Sequence, residues 1–127
     1  MSPRPENVHA LYHAHVYFDA GTTAFARALC QRLADEGLVS MGRVHERLVG
    51  PHPRWSCQLS FERSGFDTVV ARLDRERGPL DVLIHGVSGD DYADHTAHAG
   101  WLGAAQPLDL SQFKRTAEQA AEPEGKR

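Results

Sequence analysis

The chain has 127 residues, 41% of them hydrophobic and 24% charged, which suits one soluble domain with its own core. A net charge of −3 with no basic patch gives no footprint for nucleic acid, and the apolar runs are far too short to span a membrane. The N-terminus lacks an apolar signal core, and Cys30 and Cys57 show no CxxC spacing, so a cytoplasmic protein without a disulfide framework is expected. Any metal would then take imidazole and oxygen ligands, which suits iron, zinc, manganese or copper.

Residues 1–10, with Pro3 and Pro5, read as a flexible leader, residues 11–113 as the single domain, and 114–127 as a disordered tail. A first strand over about Tyr12–Phe18 places His13, His15 and Tyr17 on one face and Ala14, Val16 and Phe18 on the other. A helix starts near Thr22 or Thr23, carries Phe25, Leu29 and Leu33 at four-residue spacing, and stops at Gly37. The second strand covers about Met41–Leu48, with Arg43, His45 and Arg47 on one face. After a turn at Gly50-Pro51 and Pro53, a third strand covers about Trp55–Phe61.

The second helix has a capping-box-like Ser64 and Asp67, a stripe of Phe66, Val69, Val70 and Leu73, and a stop at Gly78-Pro79. A fourth strand covers Leu80–His85. A short helix is expected over about Tyr92–Ala99, and Pro107–Leu110 forms an edge segment.

The order βαββαβ is the ferredoxin-like, α+β pattern, with strand order 4-1-3-2 and both helices on one face. In this reading the first and third strands start at the same end of the sheet. His13, His15, His45, His52 and His85 then gather at one end, and parity puts His13, His15, His45 and His85 on the open face. Imidazole is the commonest metal ligand and the readiest proton carrier near neutral pH. His15, His52 and His85, from the central strand and its two neighbours, are the expected ligand set. His13 is an alternative to His15, and His45 is an acid–base or supporting group.

Glu46 and Asp94 are the candidate carboxylate ligands, although Glu46 has the wrong parity unless a bulge turns it, and Asp94 suits a helix cap. His95 and His98 read as solvated helix-surface residues. Arg43, Arg47 and Arg54 could clamp a substrate carboxylate, and Tyr17 shares the open face as a further substrate contact. An uncovered sheet face calls for a partner, so a face-to-face homodimer is expected; the alternative is that the residues after His85 fold across it.

Tyr12-His-Ala-His-Val-Tyr-Phe-Asp19, Gly42-Arg-Val-His-Glu-Arg47, Val49-Gly-Pro-His-Pro53, Asp81-Val-Leu-Ile-His85, Gly89-Asp-Asp91, Asp94-His-Thr96 and Trp101-Leu-Gly103 occur in that order. Over about Leu11–Phe113 the chain thereby resembles the DOPA 4,5-dioxygenase family, which includes fungal pigment enzymes and small bacterial homologues. The resemblance implies a ferredoxin-like dimer and O2-dependent extradiol cleavage of L-DOPA or a related catechol, with Fe(II) as cofactor; zinc or another divalent ion can substitute. It implies His45, or whichever of His13 and His15 is not a ligand, as the acid–base group. One departure is Gly86 after His85, where proline is common. A non-catalytic dimeric module binding a metal or an aromatic ligand is the rival reading. A zinc hydrolase lacks support, because no HExxH motif is present.

Overall fold

The computed structural model describes residues 3–113; the expected tail, 114–127, lies outside them. Its elements are β1 (Leu11–Phe18), α1 (Thr23–Asp35), β2 (Ser40–His45), β3 (Trp55–Glu62), α2 (Phe66–Glu76), β4 (Val82–Gly86), α3 (Asp91–Asp94) and β5 (Ala99–Leu102). They form an α+β fold around one antiparallel sheet of order β2-β3-β1-β4-β5. Read from β4, the first four strands run 4-1-3-2, and β5 adds an edge strand that the sequence did not signal.

The alternation along β1 sorts the two faces. Ala14, Val16 and Phe18 join Cys57, Leu59, Val82 and Ile84 beneath Leu29 and Leu33 of α1 and Val69 and Leu73 of α2 in one buried cluster. Full burial of each valine, leucine, isoleucine or phenylalanine among them contributes on the order of 1.5–3 kcal/mol. On α1 the buried stripe is Ala26, Leu29, Cys30 and Leu33. Phe25 lies off that stripe and is 38% exposed, because spacings of three and four residues, not four alone, track one helix face. Arg72 of α2 holds Glu36 through both terminal guanidinium nitrogens, at 2.7 and 2.9 Å, which ties the C-terminal end of α1 to α2.

Several boundaries differ from the sequence reading. Ser64 does not cap α2; a single 3-10 turn, Arg63–Gly65, feeds the helix, and its N-cap Gly65 makes no side-chain bond. The fourth strand begins at Val82, and the second ends at His45, with a register shift between Met41 and Val44. That bulge keeps both Met41 and Val44 against the helix-side core despite their odd spacing. The short helix is four residues long, with Asp90 accepting from the Ala93 N–H. The Pro107–Leu110 segment forms no strand and leads into a 3-10 turn, Ser111–Phe113.

β1 pairs antiparallel with both β3 and β4. The first and third strands therefore start at opposite ends, and the expected gathering of five histidines at one sheet end is corrected. His13 pairs with His85 toward one end, whereas His45 pairs with Ser56 toward the other.

The open face is covered within the chain. Trp101 and Leu83 pack with Tyr17 and are joined by Ala99 and Leu108. Asp81 accepts from the Ala104 N–H and the Gln106 amide, and the Asp109 N–H reaches the Pro51 carbonyl, so residues 104–109 lie across the sheet. Residues after His85 thus fold across this part of the face, as the alternative reading expects.

Residues 3–10, read from sequence as a loose leader, are tied to the sheet. The Pro3 carbonyl accepts from the Trp101 N–H, and Tyr12 Oη accepts from the Val8 and His9 N–H groups. A Cβ on Gly100 would overlap the Pro5 backbone, and one on Gly86 would overlap the His9 ring. Gly86 thus makes room for the His9 ring. Gly100→Ala is expected to release residues 3–9 while the core persists. Hydrogen exchange at Trp101 N–H and proteolysis within 3–9 should both rise, and unchanged rates would contradict the packing described.

Candidate metal centre

The open face carries its side chains in cross-strand rows. One row runs Ser40, Ser60, His13, His85, Ala99; the next holds Gln58, His15, Leu83 and Trp101. His15 and His85 are 5% and 4% exposed, and their Nε2 atoms lie 3.1 Å apart. The other ring nitrogen of His85, Nδ1, donates to the Gly86 carbonyl at 2.8 Å, which leaves a lone pair on Nε2. In the metal-free protein His15 supplies the shared proton. That contact lets a proton pass between the two rings.

Two loops bring further imidazoles over this face. Between β2 and β3 the chain turns at Gly50-Pro51, closed by the His52 N–H to the Val49 carbonyl, and lowers His52 onto His15 with ring centres 4.1 Å apart. Tyr17 Oη and His52 Nδ1 are 2.7 Å apart. Burial pushes the Tyr17 phenol up, so it stays protonated at neutral pH. When His52 Nε2 serves as a ligand, Nδ1 carries the proton and donates it to the tyrosine oxygen. From the other side α3 places His95 4.4 Å from the His85 ring, with Phe113 stacked on it at 5.0 Å. His95 Nδ1 donates to the Asp91 carbonyl at 2.8 Å, which again frees Nε2.

The result is two overlapping groups, His13–His15–His85 and His15–His52–His95, each with ligand atoms within 4.8 Å of one another. His15 belongs to both. The expected set His15, His52 and His85 is thus divided between the groups, and His95, read from sequence as a solvated surface residue, enters one of them. Two sequence signs marked His95: its place just after the aspartate-rich turn that follows His85, and its inclusion in the Asp94-His-Thr96 motif. His45 belongs to neither group among the described residues, although it is near enough to help depress the His52 pKa.

The carboxylates do other work. Glu46 pairs with Arg27 of α1 at 3.5 Å, on the helix side. Buried Asp94 accepts from the Ser88 N–H and hydroxyl and from His98 Nδ1, at 2.9, 2.7 and 3.0 Å. Burial raises its pKa, but these bonds outweigh that and hold it low. His98 therefore braces Asp94 beside His9 and stays outside both histidine groups. Arg43 and Arg47 are exposed, and Arg54 donates to Gln106 at 3.4 Å. Tyr17, expected to contact substrate, is 2% exposed and engaged with His52.

Burial, and then the neighbouring imidazoles, pull His15 well below its ordinary pKa and bring His52 to about 4. His85 also falls to about 4, chiefly by burial, against the opposing bond to Gly86. Burial lowers His13, with Asp94 opposing. Such imidazoles are neutral at pH 7, the form a metal needs.

Two outcomes follow from this geometry. Tyr17→Phe should weaken divalent-metal binding by about 10–100-fold while leaving the fold intact, as loss of a ligand-orienting bond does; titration calorimetry with equal affinities for both proteins would rule the bond out. In acid, the unfolded chain takes up protons on His52 and His85 near pH 6.5, while the fold excludes them until about pH 4. Stability of the metal-free protein should therefore be level with respect to these groups above 6.5 and fall below it, by at most about 1.4 kcal/mol per pH unit for each histidine. Urea midpoints that do not change between pH 7 and 4.5 would contradict this.

A family model described as the Dopa 4,5-dioxygenase family matches residues 12–112. An uncharacterised 21.2 kDa protein of Botryotinia fuckeliana is 31% identical over 94% of this chain and 72% of its own length. A DOPA 4,5-dioxygenase of Amanita muscaria is 29% identical over 80% of this chain, and the match spans 49% of that enzyme. A crystal structure from Nostoc punctiforme, described as a "putative dioxygenase", is 38% identical and superposes with a TM-score of 0.71 over 86% of this chain and 94% of that one. With the match running from β1 to the last 3-10 turn and taking in every histidine of both groups, the chain belongs to the Dopa 4,5-dioxygenase family.

Proposed function

We propose that the protein is a non-haem iron-dependent extradiol dioxygenase that opens a catechol ring with O2. The observation that carries this reading is the pair of overlapping all-histidine groups on one buried sheet face, in a chain of this family. Ferrous iron, when bound, supplies a centre at which both catechol oxygens and O2 can be held and activated. The overall change balances without an external reductant. Both atoms of O2 enter the product, the ring C–C bond beside the diol breaks, and its two carbons become an aldehyde and a carboxylate.

We assign the metal to His15, His52 and His95. This leaves His13 and His85, neighbours in one cross-strand row, free for proton transfer. The opposite assignment would leave as bases His52, which is buried against Tyr17, and His95, which lies under Phe113. His13 is half-buried and lines a cavity, so its ring can meet a catechol hydroxyl and take its proton. His85, its Nδ1 held by the Gly86 carbonyl, can take that proton on Nε2 and return it as the O–O bond breaks. Tyr17 and the Asp91 carbonyl fix the rings of His52 and His95. The cover of Trp101, Leu108 and Phe113 limits water at this face. No helix among the described residues is long and apolar enough to cross a membrane.

Protein loaded anaerobically with ferrous iron should consume O2 with a catechol panel and form a yellow semialdehyde. Iron bound without uptake on any catechol would favour a non-catalytic binding module. His15→Ala and His52→Ala should each lose the iron, whereas His13→Ala should keep it and lose turnover by about 100-fold or more, the usual scale of a lost general base. Iron retained by both of the first two variants, or lost only in the third, would reverse the assignment.

A further inference from the structure

A cavity of about 440 Å³ opens at the end of the sheet where β1 begins. It is lined by Ser40, Ser60 and His13, which are the first three members of the row that continues to His85. The cavity therefore shares a wall, His13, with the histidine cluster. Glu62 also lines it, paired with Leu11 one step farther along the open face, roughly 7 Å along the strand from Ser60. Phe61 and Leu38 contribute apolar surface.

The charge in this wall is one-sided. Besides His13, Glu62 is the only ionisable acid or base at the lining with a charge to offer, and no lysine or arginine joins it. The adjacent Arg63 sends its Nε to the His9 carbonyl at 3.1 Å. Arg43 and Arg47, the cations expected to clamp a carboxylate, are not in the lining. Among the described residues no ion pair engages Glu62.

We propose that this cavity receives the side chain of the catechol and that Glu62 selects an ammonium-bearing side chain over a carboxylate-bearing one. The inference rests on the catechol reading above. A ring placed at His13 projects its substituent along β1 and β3 toward Glu62. There an ammonium gains a charge-assisted hydrogen bond, whereas a carboxylate meets a like charge with no cation to offset it. Ser40 and Ser60 add hydroxyls along the way.

Two measurements on iron-loaded protein separate this proposal from the reading it rests on. Anaerobic calorimetry compares tyramine with 4-hydroxyphenylacetate, which differ at the group that meets Glu62 and carry no catechol. O2 uptake compares dopamine, 3,4-dihydroxyphenylacetate and uncharged 4-methylcatechol. The amine should bind more tightly than the acid by roughly two- to fivefold, the scale of an exposed ion pair, and the margin should shrink with salt. Glu62→Gln should bring the two together, raise KM for dopamine with little change in kcat, and leave 4-methylcatechol unaffected. Equal binding of amine and acid, or a preference that survives Glu62→Gln, overturns the role of Glu62 even if every catechol is cleaved. Absence of uptake on all three catechols overturns the dioxygenase reading, while the calorimetry still decides the selectivity of the cavity.

Discussion

The antiparallel pairing of β1 with β4 is the constraint on which the rest of the site depends. It sets His13 opposite His85 and His15 two pairs further on, opposite Leu83. Because side chains alternate across a strand, all three project to the same face, and their spacing is set by the ladder rather than by flexible loops. A one-residue slip of β4 would turn His85 into the helix-side core and bring Ile84 out, so the hydrophobic pattern that buries Val82 and Ile84 also enforces the register of the histidines.

Burying imidazoles is costly unless they remain neutral and partnered. The chain meets that requirement with short local bonds: Gly86 carbonyl to His85, Asp91 carbonyl to His95, and Tyr17 to His52. Each bond occupies Nδ1 and turns Nε2 toward the common space. The same bonds that satisfy the buried rings thus aim their Nε2 lone pairs into the space that the histidines share.

The cover makes this a site rather than an exposed patch. β5, the 104–109 segment anchored on Asp81, and Phe113 close one flank, and the β2–β3 loop closes another. The end of the sheet near Ser60 and Glu62 stays accessible through the cavity. That opening leaves a path along the strand direction toward His13.

Much of this was legible in the sequence. Period-two alternation placed His13, His15 and Tyr17 on one face and Val16 and Phe18 on the other, because strand geometry is local. Apolar runs and glycine stops located the main strands and helices to within a few residues, and the motif order marked the family. What the sequence could not settle was which of these histidines meet. That depends on strand direction, on how far a loop folds back and on which segment covers the sheet. His52 reaches His15 only because its loop doubles over the face, and His95 only because a four-residue helix turns the chain back after β4. His45 standing apart from both groups has the same origin, whereas Phe25 leaves the core stripe by local helix periodicity. Local periodicity sets the face on which a side chain lies, but contact across the sheet is decided by packing between segments distant in the chain.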